Sequence, residues 1–312
     1  MSEFVSPPKV AILMATYNGE KYLAQQLASL EGQTHQNWCL VVSDDGSSDA
    51  TLAILQSFQA KWGEARMQIR TGPHQGVCQN FLTMAIDASI QADYFAFCDQ
   101  DDVWLPSKLA AAVAHLEFEQ LGRPHLYCSR TAYVKDNLKI YGHSPAFAFP
   151  TSFRNALVQS IAGGNTMVFN REAKKLLEQA AVVNAVLHDW WMYQLVTGAG
   201  GVVFLDPQAH ILYRQHPKSL VGSGASIFSK LCRIWMVFHG DFRLYSEASI
   251  KALNQARHCL DDGSIRILDL FIRMRQAPKI WQRFRLLEVC GLYRQTWRGT
   301  ISLLIAATFN KI

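Results

Sequence analysis

Two acidic clusters set the chemistry open to this 312-residue chain. Asp99-Gln100-Asp101-Asp102 follows the apolar run 94–98, and Asp44-Asp45 follows the apolar run 38–43. Carboxylates this close repel one another unless a cation or water compensates. Hard divalent ions such as Mg2+ or Mn2+ take oxygen ligands and share one or two carboxylates with substrate phosphates. A lone Asp-x-Asp would equally suit a solvated loop, with Asp102 capping a helix that begins near Pro106. Two clusters at the same edge of one sheet favour a metal and a diphosphate-bearing substrate. The phosphate loops of other folds are missing. There is no G-x-x-x-x-G-K-[ST], and Gly198-Ala199-Gly200-Gly201 precedes its strand whereas a dinucleotide fingerprint follows one. A P-loop NTPase and a Rossmann dehydrogenase are therefore disfavoured.

The shared edge rests on the elements that carry the clusters. Apolar runs at 10–14, 38–43, 67–70 and 94–98 read as short buried strands. Between them Tyr22, Leu23, Leu27 and Leu30, then Leu52, Leu55 and Phe58, recur at helical spacing, and 79–90 reads as a third helix. Such alternation predicts parallel strands with helical crossovers, an α/β sandwich whose ligands bind beyond the carboxyl ends of the strands. Thr16-Tyr17-Asn18-Gly19, Asp44-Asp45-Gly46-Ser47 and Asp99-Gln100-Asp101-Asp102 should meet there. Further along come Gly163-Gly164-Asn165 before a strand, a helix at 171–180, His188-Asp189-Trp190-Trp191, a strand at 202–205, and Tyr213-Arg214-Gln215-His216.

Composition removes several classes. Hydrophobic residues make up 49% and charged residues 18%, which supplies a core and excludes a disordered scaffold. Seven cysteines without C-x-x-C or zinc spacing read as reduced and structural. Residues 1–8 lack signal-peptide features, so a cytoplasmic location is expected. No apolar run reaches the roughly 18 residues of a spanning helix, and 301–309 is about half that length. The net charge of +5 is a sum of opposites: residues 1–224 hold 16 Lys/Arg against 19 Asp/Glu, and residues 225–312 hold 14 against 6.

Three ordered motifs resemble those of the family 2 glycosyltransferases: Val10 to Gly19; Gln33-Thr34 with Trp38 and Ser43-Asp44-Asp45-Gly46-Ser47-x-Asp49; and Phe97-Cys98-Asp99-Gln100-Asp101-Asp102-Val103-Trp104-x-Pro106-x-Lys108. The third motif, with His188-Asp189-Trp190 and Tyr213 to His216, is similar to bacterial rhamnosyltransferases of surface-polysaccharide assembly. The resemblance covers about residues 9–222 and implies an α/β, GT-A type catalytic domain between an N-terminal tail (1–8) and a basic helical extension (223–312). It implies an inverting, metal-dependent transfer from a UDP- or dTDP-sugar, dTDP-rhamnose preferred, to a saccharide or lipid-linked saccharide. Ala15, Tyr17, Asp45 and Asp99 would bind the nucleotide, Tyr17 beneath the base and Asp45 at its edge. Asp101 would ligate Mg2+ or Mn2+, with His216 as a further ligand or else a surface histidine. Asp189 is expected to be the base that deprotonates the acceptor, or else a plain N-cap before Trp190 and Trp191, although the family more often shows Glu-Asp where this chain has His188-Asp189. Asp102, Gly163, Gly164, Asn165, His188, Trp190 and Arg214 are expected near the diphosphate or acceptor. Competing readings are a non-catalytic sugar- or nucleotide-binding protein and a glycoside hydrolase. A processive membrane synthase is disfavoured by the lack of a spanning run and of Q-x-x-R-W.

In the basic tail, arginines interleave with Ile, Leu, Phe and Trp over 265–275 and 279–285. That pattern suits a helix lying on the anionic inner face of the plasma membrane, or a helical cap packed on the catalytic domain with solvated arginines. A nucleic-acid partner is not expected.

Overall fold

A computed structural model describes residues 6–118, 122–181, 183–215, 241–309 and 311–312. Strands β1 (Val10–Thr16), β2 (Trp38–Asp44), β3 (Met67–Thr71) and β4 (Tyr94–Cys98) alternate with helices α1 (Leu23–Glu31), α2 (Thr51–Trp62) and α3 (Val77–Ile86). All four strands are parallel, in the order β3-β2-β1-β4. Thr16 pairs with Asp44, Asp44 with Thr71, and Met14 with Cys98. The residues after β1, β2 and β4 therefore emerge along one edge, as the apolar runs imply.

The sheet continues into a part where sequence periodicity is weak. Beyond β5 (Val103–Trp104) and α4 (Lys108–Phe118), β6 (His125–Val134) and the hairpin partner β7 (Ile140–His143) were not expected. β6 is buried along nearly its whole length, so Ser129, Arg130 and Thr131 break its apolar run without the alternation of a half-exposed strand. The short helix α5 (Phe153–Ala156) is followed by β8 (Val168–Asn170), α6 (Arg171–Ala180), α7 (His188–Gly198) and β9 (Val202–Arg214). β9 runs well past the expected 202–205, because its second half pairs with β6 and β5. The full order is β3-β2-β1-β4-β8-β6-β9-β5, with β8 antiparallel to both neighbours.

Apolar side chains fill both faces of the sheet. One face packs Leu23, Leu27, Leu30 and Leu55 from the early helices against Ile12, Leu40 and Val42. The other packs Phe81, Phe95, Phe97, Phe169 and Trp191, and this cluster extends into the C-terminal helices through Leu268 and Phe271. At about 1.5–3 kcal/mol for each fully buried large side chain, such contacts bind the extension to the catalytic core. The extension consists of α8 (Asp241–Gln255), α9 (Asp262–Gln276), α10 (Ile280–Cys290) and α11 (Trp297–Thr308). The expected boundary at 222/223 and the candidate ligand His216 lie outside the described residues. The six described cysteines are all free. No helix among the described residues is long and apolar enough to cross a membrane.

Candidate active site

The loops after β1, β2 and β4 are tied to one another by side chains. Asp44 is consumed locally: its carboxylate accepts from Thr16 Oγ1 (2.8 Å), Ser47 Oγ (2.6 Å) and Ser47 N (2.8 Å), which shapes the β2–α2 turn. Asn18, at φ 47°, donates its amide to Ser47 Oγ (2.9 Å), and its side-chain oxygen accepts from Ser48 N (2.9 Å). Gln100 spans from the β4 loop to Tyr17, accepting from its N–H and donating to its carbonyl, each at 3.0 Å. Gln100 went unnoticed in the sequence because it fills the variable position of Asp-x-Asp. Its two-ended amide registers β1 against β4.

Around this edge the nucleotide candidates take different positions. Tyr17 is 58% exposed, an aromatic face open for stacking. Asp45 is buried and clamps the next loop, accepting from His74 N at 2.7 Å and Gly76 N at 2.8 Å. Gly46, at φ 95°, lies against the His74 ring where a Cβ would collide with Nδ1. Ala15 is buried opposite Ser43. The glycine in Gly72-Pro73-His74-Gln75-Gly76 resembles a family turn near the donor and His74 reads as a loop residue; what the sequence does not show is the clamp, which comes from Asp45 after β2.

Asp99 and Asp101 are partly exposed at the end of β4. Burial, then Asp101 and Asp189, pushes the Asp99 carboxyl up to about 8. Burial, then the carboxylates of Asp99, Asp102 and Asp101, likewise raises the phenol of Tyr213, which faces the same cluster. No ion pair reaches Asp99 or Asp189 among the described residues. A cation at this edge would relieve the crowding, and the donors are hard oxygens, so the residues fit Mg2+ or Mn2+. No three His, Cys, Asp or Glu side chains among the described residues form a complete metal cage. The protein would thus supply one or two ligands and leave the rest to diphosphate and water.

Asp189 opens α7, half-buried. Its Oδ2 accepts from Gly164 N at 3.2 Å and its Oδ1 from Trp190 N at 2.6 Å. Burial lifts the carboxyl to about 6 even though these amides pull it down. His188 is a different kind of residue from its neighbour. Its ring stacks on Phe81 at 4.2 Å and meets Phe97 edge-on at 5.0 Å. Burial pushes its pKa down to about 3, so it stays neutral. It lies so close beneath Gly164 that a Cβ there would strike Nε2, which makes it a neutral spacer under the Gly163-Gly164-Asn165 turn. A glutamate in that aromatic slot would be a buried charge without a counterion.

Burial corrects several expected ligand contacts. Asp102 is fully buried, its Oδ2 accepting from Asn165 Nδ2 and its Oδ1 from Arg214 N at 3.3 Å, so it is a strut and not a diphosphate contact. Asn165, equally buried, is the other end of that strut. Arg214 turns away from the edge: its guanidinium donates to Asp136 O (2.9 Å) and Gln25 Oε1 and lies over the Tyr22 ring. Trp190 is a core residue whose Nε1 donates to Ala156 O at 2.6 Å, so it is not a diphosphate or acceptor contact, and Trp191 is buried too. Of the acceptor-side glycines only Gly163 is exposed; Gly164 is buried and offers its N–H to Asp189. Lys108 is also fully buried, its Nζ 3.5 Å from the Trp104 ring centroid, with burial pushing it down to about 7 while Cys98 and Asp102 pull upward.

The Asp102–Asn165 strut links the carboxylate loop to the turn that holds Asp189, and a side-chain exchange tests it. Asp102→Asn leaves one acceptor oxygen for two donors, a mismatch of about 1–3 kcal/mol, and is expected to lower kcat tenfold or more. In the double variant Asp102→Asn/Asn165→Asp, the exchanged amide accepts from Arg214 N and donates to the relocated carboxylate, so kcat should recover most of the loss. Equal damage in the single and double variants would mean that the bond does not set the geometry.

Known proteins are similar to this chain in sequence and in fold. The model of glycosyl transferase family 2 matches residues 11–177, more than half of the chain. The dTDP-rhamnosyl transferase RfbG of Shigella flexneri is 27% identical over 244 residues, 72% of this chain and 78% of RfbG. S. aureus TarS 1–349 in complex with UDP-GlcNAc superposes with a TM-score of 0.56 at 14% identity, over 97% of this chain and 90% of that one. The mannosyltransferase PcManGT from Pyrobaculum calidifontis, in complex with GDP-Man and Mn2+, gives 0.50 at 16% identity, over 99% and 88%. At these identities the two structures speak to the fold, which is GT-A. A family match of that extent settles the class of enzyme: the chain belongs to glycosyl transferase family 2 and is a glycosyltransferase.

Proposed function

We propose that this glycosyltransferase moves a single sugar, with inversion, from a nucleoside-diphosphate donor to a hydroxyl of a saccharide or lipid-linked saccharide in cell-surface polysaccharide synthesis. The donor we favour is dTDP-rhamnose, supported by the extent of the likeness to RfbG. The observation that carries the reading is Asp189, held by Gly164 N and facing the Asp99/Asp101 edge from the acceptor-side turn. A base there takes the proton of the attacking hydroxyl on the face opposite the leaving diphosphate, which inverts the anomeric carbon. Tyr17 would stack on the base, the Asp45-held loop would border it, and Gln100 would keep Tyr17 in register with Asp99. Asp99 and Asp101 would hold the divalent cation, which when bound offsets the charge developing on the leaving diphosphate. PcManGT, in complex with GDP-Man and Mn2+, supports that cofactor class. The working place we favour is the inner face of the plasma membrane, where a lipid-linked acceptor presents its sugar.

A screen of dTDP-rhamnose, UDP-glucose, UDP-GlcNAc and GDP-mannose, scored for hydrolysis and transfer with Mg2+, Mn2+ or EDTA, tests donor and metal together. Metal-dependent turnover of dTDP-rhamnose above the others is expected, and equal turnover in EDTA would refute the metal role. The pH dependence has a fixed sign. Asp189 must be ionised to accept a proton, and its pKa is lifted to about 6, so kcat/KM should fall as the pH drops through about 6. A profile flat down to pH 5 at saturating metal would count against Asp189 as the base.

A further inference from the structure

The two last helices present an apolar surface that the protein core does not use. In α11 the inner face, Leu303, Ala306 and Ala307, is buried against the rest of the extension. The outer face should then be polar, as on any amphipathic surface helix. Instead Trp297, Ile301, Ile305 and Phe309 follow one another at four-residue spacing, 64%, 46%, 46% and 61% exposed. A helix that is apolar on both faces is normally buried or in lipid. At 12 residues, roughly 18 Å long, α11 cannot cross a hydrocarbon core of about 30 Å. The neighbouring α10 adds exposed Ile280, Trp281 and Phe284 beside its own buried residues Leu287 and Cys290. By contrast α9 turns Leu268, Phe271 and Met274 inward, so the arginine-rich 265–275 stretch is docked on the core.

We infer that α10 and α11 form a hairpin that lies flat in the interface of an anionic bilayer, with Ile301, Ile305 and Phe309 reaching the acyl chains and Trp281 and Trp297 at the headgroup level. The inference deepens the proposed membrane working place and rests on it. Charge selects the partner: residues 277–312 contain six Lys/Arg and one acid, Glu288. Lys279 and Arg285, at α10, and Arg298, in α11, are exposed on the same hairpin, where they would meet lipid phosphates. A second copy of this basic face would repel itself across a two-fold interface. Exposed tryptophans near the start of both helices suit the headgroup level, where an amphipathic ring has one wet side. The hairpin is also coupled to the proposed base. Tyr293, between α10 and α11, donates to Pro150 O (2.6 Å) and accepts at its carbonyl from Asn155 Nδ2 (3.0 Å). Asn155 Oδ1 in turn accepts from Tyr193 of α7 (2.9 Å), the helix in whose first turn Asp189 lies. A hairpin seated in the bilayer would hold the acceptor side of the active site at a set height above it.

Flotation of the full chain with phosphatidylglycerol and phosphatidylcholine vesicles tests this, beside Trp281→Ser/Trp297→Ser/Ile305→Ser/Phe309→Ser and Arg285→Glu/Arg298→Glu. The wild type should float with the anionic vesicles and much less with the zwitterionic ones. The serine variant should lose at least tenfold in binding and the charge variant severalfold, while both retain thermal stability and metal-dependent hydrolysis of the nucleotide sugar. Undiminished flotation of the serine variant would overturn the assignment by placing the anchor elsewhere in the chain. Wild type that fails to float would also overturn it, as would sedimentation showing a dimer that the serine substitutions dissolve. Because nucleotide-sugar hydrolysis is scored separately, loss of the membrane inference leaves the transferase reading standing, and the reverse failure is equally visible.

Discussion

Asp189→Asn is expected to lower kcat by roughly 10²–10⁴ while leaving nucleotide binding in place, because it removes the proposed proton acceptor; the one acceptor oxygen left for two backbone amides adds a mismatch of about 1–3 kcal/mol to the fold. The asparagine keeps the shape of the side chain and one acceptor for the amides of Gly164 and Trp190 that Asp189 serves now. Asp189 and the proposed base-stacking surface stand on different elements: Tyr17 and Asp45 follow β1 and β2, and Asp189 lies in the first turn of α7. Thermal stabilisation by dTDP or UDP with Mn2+ should therefore match the wild type. The residual rate of the variant should also lose the inflection near pH 6, since the group that titrates there is gone. Unchanged turnover would remove Asp189 from the mechanism. His188→Phe is the companion control: a neutral ring stacked between Phe81 and Phe97 should be replaceable with much smaller loss than the base.

Asp101→Asn should have the second largest effect, of opposite character. It removes a proposed hard anionic ligand of the cation, so the Mn2+-dependent part of nucleotide binding should disappear and kcat/KM fall by about two orders of magnitude or more. The metal-free protein should at the same time become more stable. Asp99 is held up at about 8 first by burial and then by Asp101. A carboxyl whose folded pKa lies above its unfolded value of about 3.9 costs stability at neutral pH, and the cost fades as the pH falls and it takes up its proton. Removing the Asp101 charge relieves part of that cost. A melting temperature that rises without metal and no longer responds to Mn2+ would carry the signature of a ligand site. A variant that melts lower and still responds would show that Asp101 serves the fold and that the cation is held by other groups.

The sequence made the donor side legible because each acidic cluster follows its strand directly. Apolar runs at 10–14, 38–43 and 94–98 are too strongly patterned to be misread, and parallel pairing then forces their ends together. Asp189 was pointed to by the family resemblance, and it does lie in the first turn of α7. Arg214, Trp190 and Asp102 were misread because residue type says what a side chain can do but not which way it points. An arginine beside a predicted phosphate edge is a fair candidate until tertiary packing offers it Gln25 and Asp136 on the other side.

Local order in the chain thus determined the parallel α/β part and the oxygen-rich chemistry of its edge, since strand period and adjacency carry those properties, whereas the acid we propose as the base was pointed to by the family resemblance. Tertiary structure alone decided the division of labour among the acids. Asp44 shapes a turn, Asp45 clamps a loop and Asp102 braces the acceptor side, which leaves Asp99, Asp101 and Asp189 for the proposed reaction edge. The bonds that sort them join residues far apart in the chain, such as Asp102 to Asn165 and Asp189 to Gly164. Only packing can create those distances, and burial then fixes which carboxylates remain to meet a cation or a proton.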